Sequence, residues 1–170
     1  MKRPVQQLTL SALIAAFYAV FTLSSSALGL AYGPIQFRIS EALTVLPVFT
    51  PAAIPGLVIG CILGNLTSPY GLFDICFGTA ATLLAALCTY WLRNCKIKNL
   101  PLLSFLMPAL FNAIIVGAEI TFWFDTTSAK WLAFGYNALT VGLGELAVCF
   151  GLGLPLYIIV NKYKGLFFKN

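Results

Sequence analysis

Hydrophobic residues fill six runs of this chain, separated by short polar or proline-containing segments. The runs cover residues 8–30, 39–50, 54–67, 72–92, 101–123 and 131–160. Four of them reach the roughly 20 residues that an α-helix needs to cross a bilayer. The second and third runs are shorter, and such segments are tolerated in lipid only inside a bundle or beside a cavity. The pattern predicts an all-α integral membrane protein, a six-transmembrane-helix bundle in one domain spanning residues 1–170.

Composition supports a membrane protein. Of the 170 residues, 60% are hydrophobic and 9% are charged, whereas a soluble domain carries about 25% charged residues. The first run is longer than the apolar part of a secretory signal peptide and is followed by five more. We therefore expect it to be retained as a helix.

Basic residues lie at the ends of the runs, and their distribution predicts the topology. If the N-terminus is cytoplasmic and the chain crosses six times, eight basic residues fall on the cytoplasmic side, against Arg38 and Lys130 outside. This bias predicts that both termini are cytoplasmic. The net charge of +5 therefore reflects the topology, and we expect no nucleic-acid partner. The same basic ends should have some affinity for anionic lipid. The eight residues are Lys2, Arg3, Arg93, Lys96, Lys98, Lys162, Lys164 and Lys169.

The chain has no histidine, and its five cysteines are scattered without a CxxC motif. We therefore expect no metal site, no disulfide framework and no cofactor. Catalysis by zinc or by a Ser–His pair is excluded. An aspartyl pair of Asp74 and Asp125 is conceivable, but both are predicted at the outer surface, so we do not expect an enzyme.

Carboxylates and carboxamides inside the hydrophobic runs are the main functional candidates. A charge at mid-membrane costs roughly 2.5–3.5 kcal/mol, so each one needs a reason. In the helix predicted for the fifth run, Asn112, Glu119 and Trp123 share one face. In the helix predicted for the sixth run, Asn137 and Glu145 lie close together around the helix axis. The candidate substrate-binding residues are Glu119, Asn137, Asp74, Glu145, Asn112, Trp123, Tyr136, Phe77 and Tyr32, with Arg38 and Glu41 as weaker candidates.

These residues converge on the outer half of the predicted bundle, so we expect a pocket that opens outward. The pocket is acidic, since no basic residue lies within the fifth and sixth runs to neutralise the carboxylates. It suits a ligand that is a hydrogen-bond donor, a cation, or both. A carboxylate accepts two parallel N–H bonds, and aromatic rings stack on a flat heterocycle. Structural interpretations stay open: an interfacial aromatic belt, asparagines that link helices, and pairing of Arg38 with Glu41 or with Asp74. For Glu119 and Glu145 the structural interpretation is a protonated carboxyl that is hydrogen-bonded between helices.

Small residues at a spacing of four predict close helix packing. Gly56, Gly60 and Gly64 form one such strip in the third run, and Ala12 and Ala16 form another in the first. Such strips let two backbones approach closely in lipid. For the glycines we favour packing within the bundle, and for the alanines the partner stays open.

Residues 32–51, YGPIQFRISEALTVLPVFTP, and residues 54–65, IPGLVIGCILGN, resemble the QueT family. Its members are substrate-binding (S) components of energy-coupling factor (ECF) transporters for queuosine precursors. The resemblance implies a multi-pass protein of the bacterial plasma membrane that binds a 7-deazaguanine, preQ1 above all, on the extracellular side. It also implies docking through Ala12 and Ala16 onto a transmembrane coupling subunit driven by two ATP-binding subunits.

Two questions stay open at this point. Asp74, Glu119 and Glu145 are all candidates to bind the ligand's amine, and the residue that binds the guanine-like edge is not assigned. The alternative function is a self-standing, proton-coupled secondary transporter of a small cationic heterocycle. Its buried carboxylates would carry the protons, although the inverted repeats typical of such carriers are not evident.

Overall fold

The structure is a computed structural model that describes residues 3–32 and 35–167, and its elements are helices together with one isolated β-bridge. The α-helices are α1 (Arg3–Ala27), α2 (Ala53–Asn65), α3 (Leu72–Trp91), α4 (Leu102–Glu119), α5 (Lys130–Val148) and α6 (Leu154–Phe167). The other helical segments are 3₁₀ at Ile39–Val48 and Leu92–Asn94, and π-helical at Ile120–Phe124 and Cys149–Gly153.

Four helical stretches are long and apolar enough to cross a membrane, which confirms the all-α class. They are Pro4–Ala27, Leu72–Asn94, Leu102–Phe124 and Lys130–Gly165. Two shorter apolar helices, Ile39–Val48 and Ala53–Asn65, match the second and third hydrophobic runs. Six crossings with cytoplasmic termini stay a prediction, and Lys2 and Lys169 lie outside the described residues.

The second run forms a 3₁₀ helix of ten residues at the centre of the bundle. Its residues Ser40–Pro47 are all buried, and the helix contacts every α-helix of the fold. The Thr44 hydroxyl donates to the Glu41 carbonyl at 2.5 Å, which is a local alternative to the α-helical backbone pattern. Because this helix carries Ser40, Glu41 and Thr44, it brings polar groups to the middle of an otherwise apolar core.

The glycine strip of α2 packs against α1, as predicted. A Cβ at Gly60 would lie 2.6 Å from the Tyr18 Cβ, and one at Gly64 would lie 2.8 Å from the Thr22 Cβ. Only glycine permits this approach. On the other side of α1, Ala12 and Ala16 are exposed on the surface of the chain.

Candidate functional site

Arg38 and Asp74 form a buried ion pair. Their side chains are 4% and 0% exposed, and the guanidinium donates to both Asp74 oxygens, at 3.1 and 3.3 Å. It also donates to the Asn65 Oδ1 at 3.2 Å and the Ala31 carbonyl at 3.0 Å, and it lies 5.1 Å from the centre of the Tyr32 ring. The pairing of Arg38 with Asp74, one of the two predicted alternatives, is therefore confirmed. Each of the two charges is therefore paired with the other.

Glu41 binds Tyr18 and not Arg38. The Tyr18 hydroxyl donates to the Glu41 Oε1, while the Glu41 Oε2 has no hydrogen-bond partner among the described residues. Glu41 is 2% exposed and Tyr18 is fully buried. This carboxylate therefore retains one acceptor oxygen free inside the bundle.

Glu145 has the same arrangement on α5. The Asn112 side-chain amide donates to the Glu145 Oε1 at 3.1 Å, and the Glu145 Oε2 has no partner in the described chain. Glu41 and Arg38 are close enough to interact electrostatically with Glu145. The Asn112–Glu145 bond links α4 to α5, one of the interpretations kept open above, and Glu41 lies within electrostatic range of Glu145.

Glu119 is the least satisfied carboxylate of the interior. It is 0% exposed, and neither of its oxygens has a hydrogen-bond partner among the described residues. Asp74 and Arg38 lie within electrostatic range of it, but each already binds the other. An unpaired buried acceptor is costly, and in a native protein it requires an explanation.

Asn137 belongs to a network that joins the facing ends of α4 and α5. Its amide donates to the Thr121 hydroxyl at 3.0 Å and to the Asp125 carboxylate at 3.4 Å, and Lys130 donates to the Thr121 and Asp125 carbonyls. Hydrogen bonds from Thr127 lower the pKa of Asp125. The amide of Asn137 therefore links helices, one of the two interpretations kept open above.

The predicted aromatic residues lie at different places. Trp123 contacts Phe77, with ring centres 5.0 Å apart, but Trp123 is 52% exposed. Tyr136 is 61% exposed, so its side chain lies on the surface of the chain and not beside the buried carboxylates. Tyr32 stays inside the arrangement through its contact with Arg38 and a hydrogen bond to the Gly64 carbonyl at 3.2 Å.

Three interior residues were not predicted. Gln36 is 1% exposed, and its Nε2 has no partner in the described chain. Asn65 supports the ion pair, since it accepts from Arg38 and donates to the Asp74 carbonyl at 2.9 Å. Tyr18 holds Glu41. Gln36 and Asn65 lie within the two segments that resemble the QueT family. That resemblance was the signal in the sequence that could have identified them.

The interior has more acidic than basic groups. Among the described residues it holds the carboxylates of Glu41, Asp74, Glu119 and Glu145 and the guanidinium of Arg38. Asp74 is paired with Arg38. The three glutamates together have four oxygens without a hydrogen-bond partner among the described residues. No group of three or more metal-ligating residues occurs in the described part of the chain. The arrangement suits a ligand with several N–H donors, with or without a positive charge.

A separate apolar groove of about 420 Å³ lies between α4 and α5. Leu106, Leu110, Leu139 and Leu143 line it, and each is at least 38% exposed. This groove offers no polar group that could select a heterocycle, so it is not the candidate site.

Comparison with known proteins gives one family. The model of the QueT transporter family matches residues 8–162. A relative from Lactococcus lactis subsp. cremoris (strain MG1363), named queuosine precursor transporter QueT, is 36% identical over 73 residues. The aligned part spans 43% of this chain and 43% of that protein. No solved structure matches the chain.

Proposed function

The chain belongs to the QueT transporter family, and we propose that it is the substrate-binding (S) component of an ECF-type importer for a queuosine precursor. The family and the relative are transporters and not enzymes. The proposed ligand is a 7-deazaguanine, with preQ1 as the first candidate because it combines a guanine-like edge with an amine.

The observation that carries this proposal is the set of buried glutamate oxygens without partners. Glu119 offers two such oxygens, and Glu41 and Glu145 offer one each. A guanine-like edge presents two parallel N–H donors, which a carboxylate with both oxygens free can accept together. The amine of preQ1 would supply a cation to an interior whose own cation, Arg38, is already paired with Asp74.

The hydrogen bonds of the carboxylates support a proposed assignment of each to a part of the ligand. Asp74 is bound by Arg38 through both oxygens, so it is the weakest candidate for the ligand's amine. We assign the two-donor edge to Glu119, since both of its oxygens are free. We assign the amine to Glu41 and Glu145, which lie within electrostatic range of each other.

The proposed division of labour places the energy source in other subunits. The exposed strip of Ala12 and Ala16 is the proposed docking surface for the transmembrane coupling subunit, because small residues allow close helix contact in lipid. Two ATP-binding subunits would complete the complex. In this proposal the pocket opens outward, the termini are cytoplasmic and the chain lies in the bacterial plasma membrane.

Uptake into liposomes tests the division of labour. The purified chain alone, under a pH gradient, should not accumulate labelled preQ1, whereas vesicles that also contain the coupling and ATP-binding subunits should accumulate it when ATP is inside. Accumulation by the chain alone, abolished by a protonophore, would establish the proton-coupled carrier instead. That alternative draws on the same buried carboxylates.

A further inference from the structure

Gln36 combines full burial with an unsatisfied hydrogen-bond donor. Its side chain is 1% exposed, and its Nε2 has no partner among the described residues. A buried amide N–H without a partner costs about 1–3 kcal/mol. A glutamine with only a structural role would be expected to have a hydrogen-bond partner for its Nε2.

The backbone that follows Gln36 is fixed in place by two neighbouring residues. The Phe37 amide donates to the Leu30 carbonyl at 2.8 Å, and the next residue, Arg38, is held by Asp74 and Ala31. The Gln36 carbonyl packs on α5, where a Cβ at Gly144 would lie only 2.2 Å from its oxygen. Gln36 is therefore held tightly inside the bundle.

This position lies beside the acidic part of the interior. Gly144 directly precedes Glu145, whose Oε2 is unpartnered. The backbone of Gln36 thus contacts the turn of α5 that carries this unpartnered oxygen. Of the buried side-chain atoms without partners among the described residues, the glutamates supply carboxyl oxygens, Gln36 supplies an amide donor, and Thr79 supplies a hydroxyl.

From this placement we propose that Gln36 donates a hydrogen bond to the ring carbonyl of the ligand and selects a cyclic lactam over an analogue without that acceptor. The inference rests on the proposed function, since it concerns the same site. A lactam offers a carbonyl acceptor beside an N–H donor, which matches an amide donor next to an acidic cluster. Sites that hydrogen-bond a polar group reject analogues that lack it, because their buried partner is then left unpaired.

The test compares two ligands that differ at one atom, preQ1 and its 6-thione analogue. The thione keeps the ring N–H and the exocyclic amine, but its sulfur is a weak acceptor. Binding is measured by calorimetry on the purified full chain. The wild-type protein should bind the oxo ligand about tenfold or more tightly than the thio ligand.

Gln36→Met removes the donor and keeps the length of the side chain, so the oxo-to-thio affinity ratio should fall to about one. Gln36→Leu also removes the donor, in a shorter apolar side chain, and should likewise lose the preference. Gln6→Met is the matched control, because Gln6 is exposed on α1, and it should keep the wild-type ratio.

The ratio separates specificity from folding, because a structural role for Gln36 would weaken both ligands equally. A wild-type ratio retained in Gln36→Met, or in Gln36→Leu if the Met variant does not fold, overturns the inference. It leaves the proposed function intact as long as the oxo ligand binds. Failure of the wild-type protein to bind either ligand overturns the proposed function and this inference together.

Discussion

Glu119 and Asp74 are both fully buried carboxylates, yet the structure predicts opposite effects on stability when each is removed. Asp74 accepts two hydrogen bonds from Arg38, whereas Glu119 accepts none from the described residues. Truncating Asp74 leaves a buried guanidinium without its counter-charge. Replacing Glu119 by an apolar side chain of similar length removes an unsatisfied group.

The magnitudes follow from these contacts. Asp74→Ala should lower the free energy of unfolding by about 3–5 kcal/mol, the cost of breaking a buried ion pair from one side. Glu119→Met should raise it by about 1–3 kcal/mol, the cost that a buried unsatisfied polar group imposes. The same Glu119→Met substitution should weaken ligand binding by about 3 kcal/mol, or roughly 100-fold, because it removes a charge-assisted pair of hydrogen bonds.

Thermal unfolding in detergent measures the first effect, with a thiol-reactive dye that reports exposure of Cys61 and Cys149. These thiols are 0% and 1% exposed. Cys76 and Cys95 are exposed and Cys88 is half-buried, so these three are replaced by serine in every sample. Loss of stability in Glu119→Met comparable to that in Asp74→Ala would mean that Glu119 is a structural carboxyl. Wild-type ligand affinity in Glu119→Met would remove Glu119 from the site.

Three further substitutions test the packing, the ion pair and the proposed docking surface. Gly60→Ala should destabilise the chain by about 1–3 kcal/mol, because its Cβ would lie 2.6 Å from that of Tyr18; an unchanged melting temperature would contradict the α1–α2 packing. Arg38→Lys should also lower the melting temperature, since an ammonium cannot make the two-pronged bond to Asp74; a wild-type value would show that charge alone suffices. Ala16→Leu should preserve ligand affinity but reduce co-purification with the coupling subunit, and a normal yield would exclude Ala16 from the docking surface.

The helical class was predictable because hydrophobic runs of about 20 residues have few other solutions in a lipid environment. Helical spacing also predicted that Asn112, Glu119 and Trp123 share one face. Asn112 and Glu119 are both buried, whereas Trp123 is 52% exposed. Asn137 is buried, whereas its neighbour Tyr136 is exposed. Spacing alone left open which of the two would be inside.

The interior contacts were less predictable because they depend on long-range packing. Arg38 and Glu41 are three residues apart, which suggested a pair at a helix start. Arg38 has extended backbone angles before the 3₁₀ helix, and its partner Asp74 is 36 residues away along the chain. Gln36 lies in a segment without periodicity, so no spacing rule could have indicated that it is buried.

A calorimetric titration of the purified chain in detergent with preQ1, preQ0, queuine and guanine tests the central claim most directly. The account predicts saturable binding of a queuosine precursor, without any other subunit, and much weaker binding of guanine. Absence of saturable binding for all four, or equal affinity for guanine, would contradict it.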